Sequence, residues 1–425
     1  FNKRKEQVVI RLDELPKRWK QLAFLTETYL QKEEQEKHER LVASKASEFV
    51  RMLYKELRKD NKGKDKSVLH TLNVFCVRVV FCLFAEDAGL FPKDIFKRFL
   101  EAYSAIQLQE KFGQLFLALN TEVAKRSEAY DKLIASFPYV NGGLFAKDML
   151  YSNPIISDDV REMLLHNSEQ LGNPDTGEPF SWGNISPTNF GCIFESTIDK
   201  EVRDSGGMHY TTPENIHRAI DPLFLDMLET RLNAIIESDD YDDSYKRDQD
   251  LEKFRLDLAN LRFLDPACGS GNFLTEIYKV LYRLDMKAFK HMSFKERERS
   301  FSNESPSKIS IYQFYGIEIN DFAASVAKTA MWISQCQMLI ETGKMLGVEL
   351  VGFPLLKYEQ IHCEDALLCD WNKVLKRNRK NLIYIVGNPP FLGSKNKSFD
   401  KEQKESKAHA MPKMIDGVKL WPKSG

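Results

Sequence analysis

Four short apolar runs in the second half of the chain alternate with helical patterns: Leu261–Leu264, Ile311–Ile317, Tyr358–His362 and Leu382–Val386. Strands separated by helices cannot pair as hairpins, so the pattern predicts a parallel sheet covered by helices, an α/β fold. Apolar residues at three- and four-residue spacing place helices over Asn272–Phe289 and Asp321–Ile340. The run Leu382-Ile383-Tyr384-Ile385-Val386 is continuous, as expected of a central parallel strand buried on both faces. The polar stretch His291–Lys308 reads as an insertion or flexible loop.

Residues 1–135 read as a separate all-helical domain, with helical spacing over Leu15–Leu30, Glu48–Leu57 and Leu69–Ala88. The segment Lys59–Lys66 reads as a solvated turn between two of these helices. Residues 136–186 are rich in glycine, proline and asparagine turns and read as an irregular connector. From Pro187 a helix runs through Phe194, and Thr212-Pro213 makes a good start for another, with threonine as cap and proline at the first helical position. Helical pattern then continues to Ile236, before an acidic loop, Glu237–Asp243. The third region is therefore 187–425.

A chain of 425 residues exceeds one ordinary core, which agrees with this division. Its net charge of −1 does not announce a nucleic-acid partner, although charge can be segregated between faces. No run of about 18 apolar residues exists to cross a membrane, and Val74–Phe84, broken by Arg78, reads as a buried helix. The seven cysteines form no C-x-x-C pair and the first residues carry no apolar signal core, so reduced thiols, no metal site and a cytoplasmic location are expected.

Four segments at strand ends carry the chemistry. In Asp265-Pro266-Ala267-Cys268-Gly269-Ser270-Gly271-Asn272-Phe273-Leu274 the glycines let backbone approach a ligand, and the helix behind them offers unpaired N–H groups. The third glycine of a dinucleotide fingerprint is missing, which disfavours a nicotinamide or flavin cofactor. The carboxylate of an amino-acid ligand, such as that of S-adenosylmethionine (SAM), suits the same amides, and Asp265 can accept from its ammonium. Glu318, in Tyr315-Gly316-Ile317-Glu318-Ile319-Asn320, ends the second strand where an acid can accept both ribose hydroxyls. Asp365, with Ala366 and Leu367 beside it, follows the third strand and can accept an adenine amino group.

Gly387-Asn388-Pro389-Pro390-Phe391, after the fourth run, is the most specific of the four. Two prolines fix an extended backbone and remove two N–H groups, leaving the Asn388 and Pro389 carbonyls and the Asn388 amide oxygen as acceptors. Two acceptors on the hydrogens of an exocyclic amine draw its nitrogen towards tetrahedral geometry and free its lone pair for attack on a methyl sulfonium. Phe391 is placed to stack on the base.

Together these segments resemble the motifs of SAM-dependent amino-methyltransferases. Asp265–Phe273 is similar to their motif I, Glu318 to the motif II acid, Asp365 to the motif III acid, and Asn388-Pro389-Pro390-Phe391 to the catalytic motif IV. Gly207–Pro213 resembles motif X, which precedes motif I in the gamma class of DNA adenine-N6 methyltransferases. The resemblance implies a Rossmann-like SAM-binding sheet, incomplete at its C-terminal end, with Tyr210, Thr211, Thr212 and Pro213 flanking the methionine part of SAM.

Val77–Phe91, Asn141–Phe145 and Phe190–Glu195 further resemble the spacer of MmeI-like restriction–modification enzymes, which join nuclease, spacer, methyltransferase and target-recognition domains in one chain. No P-D…(D/E)-x-K nuclease pattern precedes the spacer here, and the recognition domain is expected in the parent chain. The implied reaction is methyl transfer to a flipped adenine in double-stranded DNA. Lys395, Lys397, Lys401, Lys404, Lys407 and Lys413 could meet phosphates, but the interleaved Asp400, Glu402 and Glu405 suit a solvated loop equally well. The competing readings are methylation of RNA guanine or of a protein glutamine amide, a non-catalytic DNA-binding subunit, and, more distantly, a nicotinamide oxidoreductase.

Overall fold

The computed structural model describes residues 27–63, 66–127, 130–140, 144–145, 153–173, 177–187, 190–191, 193, 211–238, 244–300, 306–348, 358–375 and 382–389. Tyr210, Pro390, Phe391, the lysine-rich segment and most of the Leu15–Leu30 pattern lie outside them.

The helical part is built on two long helices. The pattern at Glu48–Leu57 belongs to α1, Glu27–Asp60, whose inner face buries Ala46, Phe49, Val50, Leu53 and Leu57 completely. Helix α2, Lys66–Asp87, is long and apolar enough on composition to cross a bilayer, but its Val74–Ala85 stretch is buried throughout by protein. Arg78 is the one cation in that stretch. Its Nε donates to the Leu144 carbonyl at 2.9 Å and its guanidinium lies 5.0 Å from the centre of the Phe116 ring. Burial lowers its pKa to about 10. Helices α3 (Ile95–Ala102) and α4 (Ala105–Leu119) complete the core, α4 starting at a Ser104–Gln107 capping box.

The connector is more regular than its turn residues imply. It contains α5, Asp158–Leu165, capped by Ser157 with two acids in its first turn, which packs against α1, α3 and α4. Trp182 then seats the chain fully inside the core. Its backbone N–H donates to Asp87 at 2.6 Å and its indole N–H to Asn167 at 2.5 Å.

The C-terminal part opens with α6 (Pro213–Ile220), started by the Thr212 cap with Pro213 at the first helical position. A π-helical turn at Asp221–Leu225 leads into α7 (Asp226–Glu237); Pro222, which has no N–H to give, lies within that turn. Helix α8, Ser244–Ala259, forms in a segment so charged that its sequence does not announce a helix. Its narrow apolar stripe, Leu251, Phe254 and Leu258, is fully buried.

Strand β1 (Arg262–Asp265) leads through the glycine turn into α9 (Asn272–His291). The expected loop His291–Lys308 instead carries a short helix, α10 (Phe294–Ser300), and its far end is fixed by a buried ion pair. Arg255 of α8 and Asp285 of α9, both wholly buried, meet at 2.9 Å. Asp285 also accepts from Ser307 Oγ and the Lys308 N–H, while Arg255 donates to the Pro306 carbonyl.

Strand β2 is Phe314–Glu318, because Ile311–Gln313 forms a 3-10 turn where strand was expected. Helix α11 runs past Ile340 to Leu346 and stops at Gly347 in a left-handed conformation. Strand β3, Ile361–Cys363, and α12, Trp371–Leu375, precede β4, Ile383–Ile385.

All pairings are parallel, in the order β3-β2-β1-β4. Tyr384, Phe263 and Phe314 sit in register and stack across β4, β1 and β2 with centroids 5.4 Å apart. Phe224 of the π-turn covers this row at 5.3 Å from Phe263 and 5.1 Å from Tyr384. Contrary to expectation, β4 is an edge strand among the described residues. It pairs only with β1, and Ile385 is 40 % exposed. Its apolar run faces the stack on one side and is partly open on the other.

Candidate active site

Strand order reverses at β1: the chain moves outward to β2 and β3, then returns to β1's other side with β4. Ligands of open α/β sheets bind at the carboxyl ends of strands where such a reversal opens a crevice. The glycine turn after β1 and the Gly387-Asn388-Pro389 segment after β4 both lie at this place.

The glycine turn is held from two sides. The Cys268 N–H donates to the Ile317 carbonyl at 3.0 Å, so the turn leans over the end of β2. Gly271 caps α9 at φ 87°, a conformation that L side chains rarely adopt, and packs against Ala327 of α11. Gly269, at φ 53°, has nothing within 4 Å of the position a Cβ would take. Pro266, Ala267, Gly269 and Ser270 remain partly accessible, whereas Asn272 and Phe273 are buried.

Glu318 is 7 % exposed and grips this turn: Oε2 accepts from the Gly269 N–H at 2.8 Å and Oε1 from the Asn320 N–H at 2.9 Å. Burial raises its pKa, and those N–H groups oppose the rise. Ile319 beside it is 65 % exposed. Asp265 is 1 % exposed, and its Oδ1 accepts from the Ala267 N–H at 3.0 Å. Burial lifts its carboxyl to about 7, with the nearby Glu318 charge adding to the shift. Above it lies Gly387, where a Cβ would come within 2.3 Å of Asp265 Oδ1.

The β4 segment is thus laid across the acid of the first turn by the Val386 N–H, which donates to the Leu264 carbonyl at 2.9 Å. Asn388 and Pro389 are exposed beyond it. The Asn388 Nδ2 reaches Thr211 Oγ1 at 3.4 Å, a long contact that joins the two segments. Thr211, Thr212 and Pro213 are half-buried, and Thr212 Oγ1 accepts from the Asn215 N–H. Asp365 is half-buried; its Oδ1 closes a turn onto the Leu367 N–H at 2.9 Å, and the Ala366 carbonyl accepts from the Trp371 indole at 2.7 Å.

Residues of the first, second and fourth segments and of Thr211–Pro213 therefore meet around one crevice, with Asp365 after β3, the neighbour of β2. Sequence reasoning alone does not mark Gly387 as a functional position. A glycine just before a proline-locked segment at a strand end was the available signal, since it marks close backbone approach.

Residues 241–422 match the family model of the MmeI DNA-methyltransferase domain, and residues 70–145 match that of the MmeI helicase spacer domain. The chain is MmeI-like.

A structure of the type IIL restriction–modification enzyme MmeI in complex with DNA superposes with a TM-score of 0.67 at 32% identity, over 85% of this chain and 45% of that one. DNA methyltransferase A of Bacillus subtilis (strain 168) is 32% identical over 98% of this chain and 44% of its own length. A putative type II restriction enzyme and methyltransferase of Methanocaldococcus jannaschii is 24% identical over 68% of this chain and 27% of its own length. The chain spans less than half the length of the curated relatives it matches. Within that span, the MmeI-type methyltransferase domain takes in both the glycine turn and the Asn-Pro-Pro segment.

Proposed function

We propose that this MmeI-like chain transfers a methyl group from SAM to the exocyclic N6 of an adenine flipped out of double-stranded DNA, as the modification module of a restriction–modification enzyme. The observation that carries the reading is the meeting, at one sheet crevice, of the glycine turn with the exposed Asn388-Pro389 backbone, Gly387 lying on Asp265. The B. subtilis relative is named a DNA methyltransferase, and the MmeI structure contains DNA, which supports nucleic acid as substrate.

The residues fit SAM. Open space above Gly269 leaves room against the backbone, and the partly accessible Ala267–Ser270 turn offers polar groups to an amino-acid end. Glu318 keeps acceptor capacity for ribose hydroxyls, because a carboxylate has about four lone-pair sites and the Gly269 and Asn320 N–H groups each take one. The exposed Ile319 and half-buried Ala366 offer apolar contact to an adenine ring, with Asp365 at its amino edge. When bound, SAM supplies an electrophilic methyl sulfonium.

The chain's own residues act on the target amine. The Asn388 amide nitrogen is turned to Thr211, so Oδ1 is the acceptor end of that side chain. Oδ1 and the Pro389 carbonyl accept the two amine hydrogens and hold the lone pair in line. Phe391 stacks on the base, which costs a few kcal/mol to extrude. Positioning and exclusion of water supply most of the rate, and no general base is needed before attack.

In this reading residues 1–135 form the spacer, 136–186 the connector and 187–425 the methyltransferase part, in a cytoplasmic enzyme whose target recognition lies elsewhere in the parent protein. Tritium transfer from labelled SAM tests the substrate: label should enter adenine of duplex DNA. Label entering RNA or protein instead would overturn the DNA assignment.

A further inference from the structure

The cofactor crevice has a wall that neither matched domain model covers. Phe190, Gly191 and Ile193, which lie between residues 70–145 and 241–422, are helical and buried. A Cβ on Gly191 would lie 2.0 Å from Ser270 Oγ and 2.4 Å from Ser270 Cβ, with Asn272 Oδ1 at 3.2 Å. Only a glycine leaves room here for the Ser270 side chain.

The wall is rigidly mounted. Just upstream, Trp182 is tied to α2 through Asp87 and to Asn167. The Gln337 amide of α11 donates to the Ile185 carbonyl at 2.6 Å, and the Phe190 N–H donates to the Ser186 carbonyl at 3.0 Å. Anchors from the helical domain on one side and the sheet domain on the other therefore converge on the turn that touches Ser270. Ser270 is itself half-accessible, so the contact covers one flank of the glycine turn and leaves the other open.

We propose that the turn around Gly191 is the outer wall of the SAM site, and that Gly191 is a positioning residue which sets Ser270 and the adjoining amides for the amino-acid end of SAM. The inference rests on the SAM reading above. It makes the connector part of the cofactor site, so that SAM affinity depends on how the helical domain sits against the sheet domain. Gly191 itself acts through Ser270.

The test measures SAM binding to the full chain by calorimetry for the wild type, Gly191→Ala and the Gly191→Ala/Ser270→Gly pair. The added methyl should weaken SAM about tenfold or more, roughly 1.4 kcal/mol, with far-UV circular dichroism unchanged, and removing the Ser270 side chain should restore most of the loss. Unchanged affinity in Gly191→Ala, or no recovery in the pair, overturns the proposal. Should Gly191→Ala fail to fold, hydrogen exchange on the wild type decides: SAM should slow exchange at residues 190–193 together with 269–275. Protection confined to 269–275 overturns the wall while leaving the SAM reading intact. A wild-type chain that binds no SAM removes that reading itself.

Discussion

Gly387 rests on the carboxyl of Asp265, so close that a side chain at 387 would begin 2.3 Å from Oδ1. Asp265 is 1 % exposed and bonded to the Ala267 N–H, and cannot step aside. Gly387→Ala should therefore displace the Asn388-Pro389 backbone. Overpacking of this kind costs about 1–3 kcal/mol of stability. A displacement near 1 Å at the reacting groups costs about a hundredfold in rate. Single-turnover methyl transfer and a thermal melt would measure both; a fully active variant would show that the contact is slack.

Asn388→Ala separates chemistry from binding. It removes one of the two acceptors for the target amine but touches neither the glycine turn nor Glu318. Methyl transfer should fall below detection while calorimetric SAM affinity stays within about threefold, or roughly 0.65 kcal/mol. Simultaneous loss of both would mean that Asn388 belongs to the cofactor pocket.

Stability should fall as pH rises from about 4 to about 7, and Asp265 should be one reason. Its folded-state pKa is about 7 against about 3.9 for a free aspartate, so the folded chain binds more protons than the unfolded one between those values. Stability is then lost as pH rises across that window, at up to about 1.4 kcal/mol per pH unit from this group. Glu86, also lifted to about 7 by burial, acts in the same direction. Asp265→Asn should flatten the fall in denaturant midpoint between a free carboxyl's pKa of about 4 and the folded value of about 7; an unchanged slope would assign the dependence to other groups.

Asp285→Ala should be among the most destabilising single changes away from the crevice. It leaves the fully buried Arg255 with Glu252, at 3.4 Å, as its remaining carboxylate partner and releases Ser307 and the Lys308 N–H. Breaking a buried pair on one side costs about 3–5 kcal/mol. Chemical denaturation measures it, and the Arg255→Met/Asp285→Leu pair should recover much of the loss.

Much of the sheet was legible because each strand carried a dense apolar run with a chemically distinctive turn behind it. The glycine turn, Glu318 and the Asn388 segment are placed at strand ends by the sequence alone, since spacing and turn chemistry are local. What escaped was non-local or diluted. Helix α8 hides a three-residue apolar stripe among charges, and the order of Pro306–Lys308 depends on an acid some twenty positions earlier in the chain. Strand β4 looked central because its five apolar residues are consecutive, whereas the sheet leaves it at the edge among the described strands. The approach of Gly191 to Ser270 joins positions far apart in the chain, and no periodicity in the sequence records it.

The bond from the Gly269 N–H to Glu318 has a thermodynamic corollary. A flexible loop that must freeze around its ligand gives up affinity to lost entropy. Here that ordering is completed during folding, by the same carboxylate that ends β2. Any molecule seated on the turn meets a surface already set, and a substitution at Glu318 should make the entropy of association less favourable in addition to removing the ribose contacts.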